Sequence, residues 1–343
     1  MKQYHWSVIG AGPAGILAVG KLLDQGVKSS DILWLDPAFN VGALGQYWYR
    51  VPSNTKVRLF TEFLLAASAF DYVNCPHSFD HLDPDGTCLL ADVVKPLQWV
   101  TQRLRKRVHT QEIEITELYK TQQGWCLSTH HESWSSNNVI LATGAIPKQA
   151  PSQPLPCIDL PTVLNPEKLA QVVSPKDTVI VYGASHSGVL AVKNLLNLDC
   201  SVINIYKHPL RYAIYQSDHI IYDNTGLKGV AADFARAQME TTMHPKLTRC
   251  LLASADYKSL VAQANKAVYA VGFVTHQRPH VANVHPANYD PQTGIIALGL
   301  FGCGIAFPER VTDRYGHQEW NVGLFKFARY LERVLPIWLA YTH

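Results

Sequence analysis

Short apolar runs and longer amphipathic segments alternate along this chain from its first ten residues onward. Residues 6–9 form an apolar run that predicts a strand, the Leu- and Ala-rich segment 16–25 predicts a helix, and residues 32–35 predict a second strand that ends at Asp36. The same order returns in mid-chain, where the strand, helix and strand are predicted at 178–182, 189–198 and 201–206. This alternation is typical of α/β folds with parallel sheets.

The rest of the pattern completes an α/β chain. The further predicted elements are a helix at 97–107, a small β-meander at 113–118, 125–129 and 139–142, a strand-ending segment at 267–273, and a helix from Asn321 to about 334. A proline-rich stretch predicts a linker between the two units, with Pro147, Pro151, Pro154, Pro156 and Pro161. The predicted fold class is therefore α/β, with two Rossmann-like, doubly wound units and a small meander.

The loop after the first strand contains a G-x-G-x-x-G fingerprint, formed by Gly10, Gly12, Pro13, Ala14 and Gly15 with Ala11. The first glycine allows a tight turn, the second lets the backbone approach a pyrophosphate, and the third lets helix and strand pack closely. Asp36 stands 21 residues beyond the last glycine, where a carboxylate can accept hydrogen bonds from a ribose. The context of strand, loop and helix predicts a dinucleotide site.

A second, variant fingerprint follows the strand at 178–182, and consists of Gly183, Ser185, His186, Ser187 and Gly188 with Ala184. Its second strand ends at Lys207 rather than at an acid, 19 residues past the last glycine, and Arg211 follows. An acid there would repel a 2′-phosphate, whereas Lys207 and Arg211 would attract one. We expect NADPH at this unit; the alternative is that both are solvated basic residues of a loop.

The amino-acid composition, charge and cysteine spacing argue against several classes of function. The chain has 343 residues, 47% of them hydrophobic and 17% charged, with a net charge of +3. Its scattered basic residues do not suggest a nucleic-acid partner, and the absence of a run of about 18 apolar residues predicts no membrane span. The seven cysteines include no C-x-x-C pair, which favours free thiols in the cytoplasm over a zinc ribbon or a dithiol redox centre. His77 and His81 lie in a Pro- and Gly-rich loop, so no metal site is expected.

In order along the chain, these motifs resemble those of the two-dinucleotide-binding-domain flavoproteins, which include flavin-containing and N-hydroxylating monooxygenases and thioredoxin-reductase-like enzymes. The resemblance rests on segments 10–15, 141–144, 183–188 and 270–272 together with Asp36. It implies that an NAD(P)H-binding domain, 160–273, is inserted into an FAD-binding domain, 1–150 and 274–343. The implied cofactors are FAD and NADPH.

The resemblance also implies further cofactor-binding positions. These are Gly45, Gln46 and Trp48 in a segment like the GG-x-W motif, Thr143 and Gly144 at a strand end, Gly272 after the second unit, and Gly302 and Gly304 in the stretch that closes over the flavin ribityl chain. Asn54 is the candidate catalytic residue beside the flavin ring. Trp48 has the alternative of an ordinary core aromatic, and Asn54 that of a turn residue after Pro52.

Three functions follow, in order of preference. The first is an NADPH-dependent FAD oxidoreductase that transfers oxygen to a small soft nucleophile in the manner of a monooxygenase. The second is a flavin reductase of a quinone, a ferredoxin-like protein or a small disulfide. The third is a non-catalytic dinucleotide sensor, since fold alone does not prove function. The expected partner is a small-molecule substrate or electron acceptor. For the oligomeric state, a homodimer is one of the alternatives that the sequence allows.

Overall fold

The computed structural model describes residues 2–149, 155–217, 219–276, 279–284 and 288–341. The chain divides into two compact units, each with its own sheet. The first unit comprises Met1–Tyr49, Lys56–Ala145 and Thr275–His343, and the second comprises Arg50–Thr55 and Ile146–Val274. The proline-rich linker lies partly outside the described residues, since these omit 150–154.

The first unit contains eleven described strands: β1 Gln3–Ile9, β2 Ile32–Asp36, β3 His109–Glu112, β4 Glu117–Thr121, β5 Gly124–Ser128, β6 Ser133–Leu141, β16 His280–Val281, β17 Ile295–Ala297, β18 Leu300–Gly302, β19 Glu309–Thr312 and β20 Gln318–Asn321. The parallel half of its main sheet has the order β3-β2-β1-β6-β18, and the antiparallel meander is β4-β5-β6. The short strands β16 and β17 pair with β4 and β18, and β19 and β20 form a hairpin. The helices are α1 Pro13–Asp24, α2 Val57–Leu65, α3 Leu90–Arg105 and α9 Leu324–Ala340.

Large buried aromatic side chains join the helices of the first unit to its sheet. Phe301 stacks between Trp6 and Trp338, with ring centroids 5.7 and 5.0 Å apart. All three rings are fully buried, so strands β1 and β18 and helix α9 share one core. This core holds the loops at the carboxyl ends of β1, β6 and β18 in fixed positions.

The second unit has a five-stranded parallel sheet in the order β13-β10-β9-β14-β8. Its strands are β8 Cys157–Ile158, β9 Thr178–Tyr182, β10 Ser201–Tyr206, β13 Leu247–Leu251 and β14 Lys266–Tyr269, and β11 Ile214–Tyr215 pairs with β12 Ile220–Ile221 outside that sheet. The helices are α4 Leu160–Val163, α5 Pro166–Leu169, α6 His186–Asn197, α7 Gly229–Ala235 and α8 Tyr257–Val261. Strands β7 Ala145–Pro147 and β15 Phe273–Thr275 pair where the chain passes between the units.

The structure differs from the predicted elements most clearly in helix α3, in the meander and in helix α9. Helix α3 begins at Leu90 rather than at residue 97, because Pro96 lies inside the helix instead of preceding it. The first strand of the meander is Glu117–Thr121 rather than 113–118. Helix α9 continues past 334 to Ala340 and also contains a proline, Pro336. None of the described helices has the length and apolar character that a membrane span requires.

Candidate functional site

The first glycine loop is compressed against the end of strand β6. Gly10 has a φ of 110°, and a Cβ there would lie 2.3 Å from the carbonyl oxygen of Ala142. A Cβ at Gly15 would lie 1.9 Å from the carbonyl oxygen of Gly10. Neither distance leaves room for a side chain, so both glycines are required by contacts within the protein itself.

Gly12 is different, because nothing in the described structure needs a glycine there. Its φ is −74°, which any residue adopts, and the atom nearest to an added Cβ is the Cα of Gly42, 4.0 Å away. Gly12 is the N-cap of α1, and Pro13 follows as its first residue. Free backbone N–H groups therefore border open space at the positive end of a helix dipole. A helix N-terminus with such free N–H groups is suited to bind a phosphate group.

Asp36 ties the glycine loop to the loop after β2. Its Oδ2 accepts a hydrogen bond from the Ala11 N–H at 2.6 Å, and its Oδ1 accepts from the N–H groups of Ala38 and Phe39 at 2.8 and 2.7 Å. The carboxylate is buried, with an exposed fraction of 8%. Asp36 therefore has a structural role as well as the predicted contact with a ribose, for which Oδ2 keeps acceptor capacity.

Trp34 is a second anchor of this loop, and the sequence pattern did not single it out. Its indole Nε1 donates to the carbonyl oxygen of Gly10 at 2.9 Å. Strand β2 places Trp34 opposite Val8 in the register, so its fully buried side chain reaches over the end of β1. A tryptophan in an apolar strand is indistinguishable from a core residue until the register is known.

The GG-x-W-like segment forms a π-helical turn, Leu44–Trp48. Of the predicted contacts, Gly45 packs so closely that a Cβ would lie 2.2 Å from the carbonyl oxygen of Asn40. Gln46 is exposed and Trp48 is half-buried. Just before this turn, Phe39 and Val41 have φ values of 48° and 57°. Left-handed backbone at a β-branched residue is strained, and such strain is concentrated at functional sites.

The end of β6 and the loop after β18 complete the surroundings of the first glycine loop. Thr143 and Gly144 directly follow Ala142, and Gly144 has a φ of 75°. A Cβ at Gly304 would lie 2.6 Å from the Cβ of Ala14 at the start of α1, so the β18 loop touches the fingerprint. Gly302 packs against Phe307, whose ring would lie 2.4 Å from an added Cβ. The structure thus brings the predicted positions of loops 10–15, 143–144 and 302–304 together.

Cys303 lies between these last two glycines, but its thiol is sealed from solvent. Its exposed fraction is 3%, and burial raises its pKa to about 12. A thiol with this pKa stays protonated at neutral pH and is a poor nucleophile. All seven cysteines are free thiols in the structure.

The second glycine loop repeats the geometry of the first. Gly183 has a φ of 115°, and a Cβ there would lie 2.2 Å from the carbonyl oxygen of Ala270. A Cβ at Gly188 would lie 2.3 Å from the carbonyl oxygen of Gly183. Ser185 is the N-cap of α6 and is exposed, and Ser187 lies half-buried in its first turn. The N-terminus of α6 is therefore presented in the same way as that of α1.

A cavity of about 470 Å³ opens at the carboxyl ends of β9, β10 and β14, within the second unit. Its lining includes the predicted positions Gly183, Ser185, Lys207, Arg211 and Gly272. Lys207 and Arg211 are exposed, and the Arg211 guanidinium lies 4.6 Å from the centroid of the Tyr222 ring. The cavity therefore combines a helix N-terminus with two cations, which suits a phosphate-bearing ligand.

His186 does not line this cavity. Its Nδ1 is buried without a hydrogen-bond partner among the described residues. Burial, with a smaller contribution from the cation of Lys228, lowers the pKa of His186 to about 4. Lys228 is in turn paired with Asp223 at 2.7 Å. His186 is therefore neutral at physiological pH.

Asn54, the candidate catalytic residue, lies in the short segment Arg50–Thr55 that groups with the second unit. It is exposed, and its Oδ1 accepts a hydrogen bond from the Thr55 hydroxyl at 3.3 Å. Its role stays a prediction. No group of three or more His, Cys, Asp or Glu side chains suited to a metal ion occurs in the described parts of the chain.

Comparisons with known proteins agree with this geometry. The model of the pyridine nucleotide-disulphide oxidoreductase family matches residues 7–280. The chain is 34% identical to monooxygenase AgnR1 of Paecilomyces divaricatus, over 97% of each chain. Among solved structures it is similar to a flavin-containing monooxygenase from Stenotrophomonas maltophilia (TM-score 0.67, 14% identity, 99% of each chain) and to bacillithiol disulfide reductase Bdr from Staphylococcus aureus (TM-score 0.65, 13% identity, 99% of each chain). A further neighbour is an oxidized steroid monooxygenase bound to NADP (TM-score 0.62, 14% identity, 98% of this chain and 84% of that one). At these identities the structural likenesses show the fold alone.

Proposed function

The chain belongs to the pyridine nucleotide-disulphide oxidoreductase family and is an FAD-dependent oxidoreductase, and within that family we propose that it acts as an NADPH-dependent monooxygenase. The proposed substrate is a small soft nucleophile, such as a thioether or an amine, that receives one oxygen atom. The observation that supports FAD binding is the open space at Gly12, where no contact within the described part of the chain requires a glycine.

The residues of the first unit would bind and orient FAD. The N–H groups at the start of α1 would bind the pyrophosphate, and Asp36 would accept a hydrogen bond from the ribose through Oδ2. The loop at Gly304 and the π-helical turn at Gly45 would enclose the remainder of the cofactor. Bound FAD would supply the redox chemistry, accepting a hydride and passing electrons onward.

The second unit would bind NADPH in its 470 Å³ cavity. The N-terminus of α6 would bind the pyrophosphate, and Lys207 and Arg211 would select the 2′-phosphate by charge. The steroid monooxygenase with the same fold is bound to NADP, which supports the choice of nucleotide.

The preference for oxygen transfer over disulfide reduction rests on the relative at 34% identity, which is named a monooxygenase, and on the cysteines. A dithiol reductase needs a pair of reactive thiols, whereas this sequence has no C-x-x-C pair, and it has Ala14 rather than a cysteine in its first glycine loop. Cys303, the cysteine in the candidate flavin loop, is buried with its pKa raised to about 12.

The test is to follow the purified protein under NADPH, first without and then with oxygen. NADPH should bleach the yellow flavin spectrum anaerobically. With ¹⁸O₂ and a panel of thioethers and amines, one product should carry one ¹⁸O atom per NADPH consumed. Reduction of a quinone or a small disulfide with no ¹⁸O in any product would replace the monooxygenase by a reductase. A colourless protein that binds no FAD would leave only the third function, a non-catalytic dinucleotide sensor.

A further inference from the structure

The two glycine loops are held by different side chains at equivalent places. In the first unit, Trp34 donates directly to the carbonyl oxygen of Gly10. In the second, Asn204 does the same: its Nδ2 donates to the carbonyl oxygens of Gly183 at 2.8 Å and Val181 at 3.2 Å. Asn204 is fully buried, with an exposed fraction of 0%. Unlike an indole, however, an amide has a donor end and an acceptor end that can exchange places.

Arg249 binds the acceptor end of the Asn204 amide. It lies opposite Asn204 in the register of β10 and β13, and its Nε donates to Asn204 Oδ1 at 3.3 Å. A guanidinium has five donors and no acceptor, so it can bind only the oxygen end of the amide. The amino end of Asn204 must then point toward the carbonyl of Gly183.

Arg249 also packs against a residue that lines the nucleotide cavity. Its guanidinium carbon lies 4.5 Å from the centroid of the Tyr206 ring, and Tyr206 lines the cavity with Gly183. Its Nη2 is buried and has no hydrogen-bond partner among the described residues. Burial lowers the pKa of Arg249, while the nearby side chains of Tyr206, Glu240 and Tyr212 raise it. A cation in such a place is costly to desolvate, which calls for a reason beyond packing.

We infer that Arg249 is a positioning residue for pyridine-nucleotide binding: it fixes the orientation of the Asn204 amide, which in turn holds the Gly183 turn that receives the pyrophosphate. The inference rests on the proposed NADPH site in the second unit. Without Arg249 the buried Oδ1 of Asn204 would lose its donor, while Nδ2 would still face the carbonyl oxygens of Val181 and Gly183. An unsatisfied buried acceptor is costly, so the amide would shift toward another donor, weaken its bond to Gly183 and loosen the turn that binds the nucleotide.

The experiment measures flavin reduction by NADPH in a stopped-flow instrument, which separates the Kd of NADPH from the limiting rate. Arg249→Met should raise the Kd about tenfold, with the limiting rate within about threefold of wild type and full FAD content. Arg249→Lys keeps a donor without an acceptor and should raise the Kd by about threefold or less. Arg236→Met is the matched control, because Arg236 also lies over a tyrosine ring in this unit, at 4.4 Å from the Tyr212 centroid. Its Kd should stay within about twofold of wild type.

A double-mutant cycle separates positioning from general destabilisation. If Arg249 acts through Asn204, Arg249→Met should add little to the loss of affinity caused by Asn204→Leu. Losses that multiply, or an unchanged Kd in Arg249→Met, would overturn the inference. If Arg249→Met loses its flavin or does not fold, the cycle is run with Arg249→Gln, which keeps a polar side chain but no longer offers donors alone to the amide oxygen. Should wild type prefer NADH, the NADPH assignment fails, but the same cycle with NADH still decides the role of Arg249, because both nucleotides carry the pyrophosphate.

Discussion

Glycines that look alike in the fingerprint are present for different physical reasons. Gly10 and Gly15 are required by backbone atoms of the protein, 2.3 and 1.9 Å from where a Cβ would stand. Gly12 faces open space, and we propose that a ligand explains the glycine there. The sequence predicts all three glycines from one motif, but only the structure separates Gly12, the proposed cofactor position, from the two glycines that the fold itself requires.

This difference predicts a contrast between two valine variants. Gly12→Val should fold with a Tm close to that of wild-type apoprotein but bind little or no FAD, because its side chain would occupy the pyrophosphate site. Gly10→Val should lower the Tm strongly or prevent folding, since its Cβ would collide with Ala142. Flavin absorbance per protein and differential scanning fluorimetry check both. A yellow Gly12→Val protein would disprove the FAD assignment.

A second prediction at this scale concerns Cys303. Because burial raises its pKa to about 12, the thiol has no role as a nucleophile at neutral pH. Cys303→Ser should therefore keep FAD and NADPH-dependent flavin reduction, with turnover falling less than about tenfold, or about 1.4 kcal/mol in the barrier. Loss of all turnover with flavin reduction intact would make Cys303 the redox centre instead.

At the scale of elements, the hydrophobic pattern predicted the parallel strands well. Strands 178–182 and 201–206 coincide with β9 and β10, because short apolar runs bounded by glycine and polar residues have few alternatives. Contacts across strands could not be predicted. The contacts of Trp34, Asn204 and Arg249 depend on which residues lie opposite one another in neighbouring strands. When helical crossovers join the strands, a single sequence does not reveal this pairing.

Lys207 and Arg211, which precede β11, and Tyr222, which follows β12, give a prediction about nucleotide choice. Lys207→Ala/Arg211→Ala should raise the NADPH Michaelis constant at least tenfold and leave that of NADH nearly unchanged, because only NADPH carries the 2′-phosphate. Tyr222→Leu removes the ring on which Arg211 rests and should raise it about two- to fivefold, whereas Tyr222→Phe keeps the cation–π contact and should not. Steady-state kinetics with both nucleotides give the ratios. Equal effects on NADH would remove the 2′-phosphate assignment.

At the scale of the whole molecule, neutral His186 makes stability depend on pH. Its folded pKa of about 4 lies below the unfolded value near 6.5, so the unfolded chain binds a proton first as the pH falls. The contribution of neutral His186 to the free energy of unfolding is complete above about pH 6.5 and decreases as the pH falls toward 4. Between pH 7 and pH 5 this group alone should cost about 2 kcal/mol of unfolding free energy. Urea denaturation of wild type and His186→Asn should show a smaller loss in the variant; parallel pH curves would contradict the shift.

The separate anchors of the two glycine loops have a practical consequence for directed evolution. Trp34 serves one loop, and Asn204 with Arg249 serves the other, so the described anchors of the two sites share no side chain. A library randomised at 204 and 249 should therefore vary nucleotide affinity in clones that still hold their flavin. Yellow colour would then report an intact first unit, independently of turnover. The screen could discard by eye the clones whose substitutions disturb the flavin site before any nucleotide assay.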